Sequence, residues 1–192
     1  MKKRLEQALS QRQKQHIVDP SLISSAVLLL IFREDGEYYL IFIKRTQHVN
    51  VHRGEISFPG GAYEKQDKTL LNTALRESAE EIGLPLGSVE LLGELDDIAT
   101  VATGYLISPY IAAIPWPLPL KADKIETEEI IEIPISALLD ENCMREGKAM
   151  INDREIDTYF YDYKDRVIWG ATARILKQFL EIYARAMKDI ED

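Results

Sequence analysis

Cysteine is nearly absent. Cys143 is the sole example in 192 residues, which excludes an intrachain disulfide and a thiolate-based zinc cluster. Histidine is almost as scarce, and His16, His48 and His52 show no zinc-ligand spacing. Basic charge is in deficit: 23 Lys and Arg stand against 32 Asp and Glu, for a formal net charge of -9. That balance, with no basic stripe, argues against nucleic acid or an anionic membrane as partner. Long apolar runs are missing too, since the most apolar stretch, residues 26–32, is far too short to span a bilayer. Met1-Lys2-Lys3-Arg4 is followed by polar Gln7, Ser10, Gln11, Gln13 and Gln15 rather than by a signal-peptide core. Asp189-Ile190-Glu191-Asp192 matches no lipidation address. The expectation is a cytoplasmic protein whose anionic ligands need local help from a metal or a few placed cations.

The chain is long enough for one domain with a substantial core. Residues 1–22 read as a helical or loosely ordered arm closed by Pro20, residues 23–188 as the domain and residues 189–192 as a tail. Residues 26–32 and 38–44 are strand-like, and Glu34-Asp35-Gly36-Glu37 makes them a hairpin. Residues 55–58 form a short strand that Pro59-Gly60-Gly61 interrupts, and a loop runs on to about Lys68. Leu71, Leu75, Ser78 and Ile82 recur at helical spacing, with Gly83 and Pro85 as stop signals. Further strands are expected at 89–95 and 105–114, a stiff loop at 115–119, and a short helix at 134–139. A second hairpin at 157–163 and 166–168 precedes a closing helix from Gly170. The pattern implies an α/β fold with helices packed on a largely mixed sheet.

The chemistry concentrates in Arg76-Glu77-Ser78-Ala79-Glu80-Glu81-Ile82-Gly83-Leu84. At about 100° per residue, Glu77 and Glu81 stack one turn apart on a helix, with Glu80 on the adjoining side. Leu71, Leu75, Ser78 and Ile82 would face the core, leaving the carboxylates toward a cavity or solvent. Stacked carboxylates repel unless a cation joins them, and hard oxygen donors suit Mg²⁺ or Mn²⁺. A bare Glu-x-x-Glu-Glu run is more often a solvated acidic face. Here its company matters: Gly60-Gly61 after a strand, a loop of suitable length, and Arg76 and Gly83 bracketing the glutamates.

With these residues in place, the sequence resembles the Nudix hydrolases, whose box ends in Arg-Glu, an apolar residue, any residue, Glu-Glu, any residue, Gly and an apolar residue. Arg76 to Leu84 matches that half closely, with Ser78 at an apolar position. The segment from Gly61 to Arg76 is one residue longer than the box, and the first acidic position falls on Asp67. The resemblance implies a Nudix-like α/β/α sandwich with a mixed sheet. It also implies Mg²⁺ or Mn²⁺ held by Glu77, Glu80 and Glu81, and attack of water on a small-molecule diphosphate. Within the family the chain is similar to the coenzyme A diphosphatase branch over about residues 24–176, through Arg45-Thr46, Gly54-Glu55-Ile56-Ser57-Phe58-Pro59-Gly60-Gly61, Leu95-Asp96-Asp97, Ser108-Pro109 and Ile168-Trp169-Gly170-Ala171-Thr172. Asn50 replaces an arginine of that branch signature.

The implied reaction converts coenzyme A to 3',5'-ADP and 4'-phosphopantetheine, with ADP-ribose, another nucleoside diphosphate sugar or a dinucleotide as alternative substrates. An inactive Nudix-fold ligand sensor is the alternative from another class. Glu80 and Glu81 are candidate catalytic residues, with Arg76 in support, either orienting a carboxylate or making a structural ion pair. The general base is left among Glu80, Glu126, Glu128 and Glu129. Arg45, His52 and Arg53 are candidate phosphate contacts. Gly60 and Gly61 either offer backbone amides to an oxyanion or permit a tight turn. Tyr159, Phe160, Tyr161, Tyr163 and Trp169 either stack on adenine or pack in the sheet. A homodimer is the prior for such a domain.

Overall fold

The computed structural model describes residues 1–46, 54–100, 103–151 and 154–188. Helix α1 (Lys2–Ser10) leads through an extended segment into strands β1 (Ile23–Glu34) and β2 (Glu37–Arg45). Then come β3 (Ile56–Ser57), β4 (Gly60–Ala62), a 3-10 turn (Lys65–Asp67), α2 (Leu70–Ile82), β5 (Glu90–Glu94), β6 (Ile98–Ala99) and β7 (Tyr105–Ala113). The chain continues with β8 (Thr127–Pro134), α3 (Ile135–Leu138), β9 (Met144–Ile151), β10 (Arg154–Tyr163), β11 (Arg166–Trp169) and α4 (Gly170–Lys188).

The main sheet runs β3-β2-β1-β7-β5, with β8 on the other side of β2, β4 on β1 and β6 on β7. β1 and β7 are parallel while the remaining pairs are antiparallel, so the sheet is mixed. Asp35 and Gly36, both at positive φ, close the β1–β2 hairpin tightly. Strand β1 is apolar at successive positions because both faces are covered. Leu28, Leu30 and Phe32 pack toward α2, whereas Leu29 and Ile31 pack toward α1 and α4. The result is the expected α/β/α sandwich. Among the described residues no helix is long and apolar enough to cross a membrane.

Three local expectations need correction. Residues 60–62 extend the sheet as β4, paired to β1 from Ser25 to Val27, instead of lying wholly in a loop. Gly60 makes this approach feasible: a Cβ there would run into the Ala26 carbonyl and lie 2.6 Å from Val27 Cα. Residues 127–134, read only as a source of stray carboxylates, form β8, with Thr127, Ile131 and Ile133 turned inward. The buried face of α2 is Thr73, Ala74, Ser78, Glu81 and Ile82, with Leu71 and Leu75 half-buried, so Glu81 turns inward instead of facing a cavity or solvent. Ser78 suits that face because its hydroxyl donates to the Ala74 carbonyl at 2.7 Å.

The arm is integrated into the body. Leu5 and Leu9 are buried in the main core cluster beside α4, and Gly93 leaves room for Leu9, whose side chain a Cβ would meet at 2.8 Å. Beyond α1, Arg12 pairs with Asp96 at 2.7 Å and Lys14 with Glu94 and Asp97 at 2.9 and 3.0 Å. Asp97 also accepts from Ser108 Oγ at 2.7 Å, and Leu95 N–H donates to the Pro109 carbonyl. Leu95-Asp96-Asp97 and Ser108-Pro109 therefore fasten the arm to the sheet.

Candidate metal centre and diphosphate site

Helix α2 is delimited at both ends. The Thr69 hydroxyl accepts from Asn72 N–H, and Gly83 takes a left-handed conformation whose N–H, with that of Leu84, closes on the last carbonyls. This delivers Glu77 and Glu81 to the two glycines of β4. The Gly60 N–H donates to Glu81 Oε2 at 2.9 Å. The Glu77 carboxylate lies over Gly61, where a Cβ would come within 2.6 Å of Oε2. Successive glycines thus meet successive turns of the helix: Gly60 supplies a donor and Gly61 supplies space.

Burial dominates the electrostatics. Glu81 is only 3% exposed, and loss of solvent pushes its pKa up to about 8 against the opposing pull of the Gly60 amide and Arg45. Glu77 is also raised by burial, despite Arg76 at 2.9 Å. Glu77 and Glu126 add negative charge around Glu81, and Glu80 and Glu126 add it around Glu77. Burying like charges together is unfavourable unless a cation or protons compensate.

Glu126 is brought there by backbone chemistry. Asp123 N–H donates to the Glu81 carbonyl, and the Asp123 carboxylate accepts from the N–H groups of Ile125, Glu126 and Thr127. Thr46 closes the same turn, its N–H on the Glu126 carbonyl and its hydroxyl on the Ile125 carbonyl, both at 2.8 Å. Arg45 then spans the carboxylates, at 3.4 Å from Glu81 Oε1 and 3.4 Å from Glu126 Oε2. Asp123 and Thr46 were not singled out in the sequence as positioning residues. Asp123 carried an Asx-turn signal, two to four residues before the N–H groups it accepts.

Arg76 is engaged from several sides. Its Nε and Nη2 meet Asp67 at 2.7 and 3.1 Å, Nη2 also reaches the Ala62 carbonyl, and Nη1 lies near Glu77 and Glu80. Asp67 additionally accepts from Glu64 N–H and Thr73 Oγ1. Arg76, with those other donors, holds the Asp67 carboxyl well below the usual carboxylate range. Despite the longer loop, Asp67 is the anchor of Arg76.

Of the other candidates, Glu80 is 62% exposed on its side chain and shares Arg76 Nη1 with Glu77, at the rim of the site. Glu128 pairs with Lys44 and Glu129 with Arg166. His48, Asn50, His52 and Arg53 lie outside the described residues. Tyr161 is in the core against Ile168 and α4, Tyr159 lies under Lys177, and Arg145 covers the Phe160 ring. Among the described residues no three Asp, Glu, His or Cys groups form a ready cage for an ion. The oxygen-donor pair Glu77 and Glu81 still fits Mg²⁺, which keeps several waters and commonly takes one or two carboxylates plus substrate phosphate.

The sequence profile described as the NUDIX domain matches residues 23–133. The chain belongs to the Nudix family. An uncharacterized Nudix hydrolase, NudL, of Photorhabdus laumondii is 32% identical over 142 residues, covering 74% of this chain and 75% of that protein. The same-named protein of Salmonella paratyphi B is 30% identical over 154 residues, covering 80% and 79%. Among solved structures, a MutT/nudix family protein from Enterococcus faecalis superposes with a TM-score of 0.56 at 15% identity, covering 93% of this chain and 66% of that one. A MutT protein from Methanosarcina mazei Go1 gives 0.52 at 15% identity, covering 95% and 100%. These structural matches establish the Nudix fold, and the relatives place the protein among Nudix hydrolases.

Proposed function

We propose that this Nudix hydrolase cleaves the diphosphate linkage of coenzyme A or its acyl derivatives, yielding 3',5'-ADP and 4'-phosphopantetheine or acyl-phosphopantetheine. The observation that carries diphosphate hydrolysis is the pair of half-buried Glu77 and buried Glu81, set against Gly61 and Gly60 with Glu126 beside them. Glu77 and Glu81 would hold Mg²⁺ or Mn²⁺, with Glu80 available from the rim. The bound ion supplies neutralisation of diphosphate oxygens and acidification of water. Arg45, already between Glu81 and Glu126, is the cation best placed to turn to a substrate phosphate. Glu126 is the preferred base because it adds negative charge to both Glu77 and Glu81 and shares Arg45 with Glu81, whereas Glu128 and Glu129 are engaged by Lys44 and Arg166. Arg76 acts by holding Asp67 and the start of α2.

Coenzyme A as substrate rests on the flanking signature, especially Arg45-Thr46 and the run from Gly54 to Gly61. Asn50, where that branch carries arginine, favours the second reading, a diphosphatase for ADP-ribose, another nucleoside diphosphate sugar or a dinucleotide. Incubation with Mg²⁺ and a panel of these substrates, followed by mass identification of products, decides between them. Rapid ADP-ribose cleavage without coenzyme A turnover would reject the first reading. Hydrolysis of none of them, with Glu81→Gln leaving Mn²⁺ affinity unchanged, would favour a Nudix-fold sensor.

A further inference from the structure

The small sheet β11-β10-β9 ends on β9, which has no partner strand on its outer side among the described residues. Its ladder phase follows from one bond. Asp162 N–H donates to the Cys143 carbonyl at 2.8 Å, and the register pairs Tyr161 with Met144. In an antiparallel ladder, hydrogen-bonded positions alternate. Residues 145, 147, 149 and 151 therefore direct their backbone groups to β10. Met144, Glu146, Lys148 and Met150 direct their N–H and C=O groups outward, toward the open edge.

We propose that a second copy of this chain pairs with this edge, β9 against β9, in an antiparallel register with the two-fold axis at Gly147. That register sets Glu146 opposite Lys148 of the other copy and Met144 opposite Met150, each pair repeated by symmetry. All four outward-facing residues then complete their backbone hydrogen bonds. Gly147 faces its own equivalent at a non-hydrogen-bonded site, where strands approach most closely, at about 4.5 Å between Cα atoms. Opposite charges directly across strands stabilise a pair, and like charges oppose it. Sliding the register by two residues either way puts Glu146 opposite Glu146 or Lys148 opposite Lys148. A slide by one residue misaligns inward and outward backbone groups. The same charges that guard an open edge against indiscriminate pairing thus select one partner and one alignment. Glu146 and Lys148 are both exposed, and Met150 is 66% exposed despite its apolar side chain. An interface at β9 would cover it. This inference stands independently of the substrate.

The test uses the full chain in analytical ultracentrifugation over a concentration series. The native protein is expected at twice its 21.9 kDa chain mass. Glu146→Lys and Lys148→Glu should each be monomeric, since each places like charges across the two-fold axis. Mixed in equal amounts, they should recover a dimer, because lysines of one then meet glutamates of the other. Glu146→Pro removes an outward N–H while sparing the bonds to β10, so it should be monomeric yet still melt in one cooperative transition, lowered only by the lost association. That variant keeps the test decisive if a charge change disturbs folding. A native chain monomeric at every concentration, or a dimer that survives Glu146→Pro, overturns the proposal. Failure of the two charge variants to associate on mixing overturns the register.

Discussion

Asp67 and Arg76 form a two-point ion pair at 2.7 and 3.1 Å, bridging the turn after β4 to the middle of α2. Because Arg76 lowers the Asp67 pKa, the ionised carboxylate favours folding. Its contribution is complete above the ordinary carboxylate range and is lost as pH falls below about 4. Asp67→Asn should cost about 3 kcal/mol at neutral pH, the usual scale for breaking a buried pair. Urea titrations should show the gap to the native protein narrowing in acid. A gap that stays constant into strong acid would contradict this.

Glu81 has the opposite sign. Its pKa is raised from 4.5 to about 8, so between those values the folded metal-free protein retains a proton that the unfolded chain has released. Stability in chelator should therefore fall as pH rises through that window, by at most about 1.4 kcal/mol per pH unit from this group. Glu81→Gln, still able to accept from Gly60 N–H, should flatten that part of the profile and lose Mn²⁺ affinity. Urea midpoints measured with and without chelator check both. Native and Glu81→Gln curves that remain parallel would refute the assignment.

Gly61→Ala places a methyl group against the Glu77 carboxylate. Glu77 can swing aside, so melting should change little, while displacement of a working carboxylate should cost roughly a hundredfold in kcat. Full activity would mean that Glu77 is not needed where it lies.

Leu9 belongs to the core although it precedes the matched segment 23–133. Leu9→Ala should destabilise the protein by about 3 kcal/mol, as for other buried leucines. A loss well below 1 kcal/mol in thermal or chemical unfolding would show that the arm contributes little to the fold.

The legible parts of the sequence were those with local causes. The β1–β2 hairpin follows from two apolar runs around Asp35-Gly36, and α2 from its periodicity and the Gly83 stop. Strand β8 was obscured because Glu129 falls in phase with Thr127, Ile131 and Ile133 while apolar Ile130 falls on the opposite face, breaking the alternation in the sequence. Strand β9 carries almost no apolar signal because it lies at a sheet edge. The inward turn of Glu81 was hidden because helical spacing gives relative angles on α2 without saying which side receives the glycines of β4.

Local chemistry alone determined the α/β composition, the metal-suited residue types and the placement of Glu77 and Glu81 one helical turn apart. Tertiary structure decided that Glu81 is buried on Gly60, that Glu126 arrives through Asp123 and Thr46, and that Asp67 anchors Arg76. The difference is one of range. Spacing along a helix follows from backbone geometry, but burial and partnership depend on segments distant in sequence that meet only when the sheet assembles.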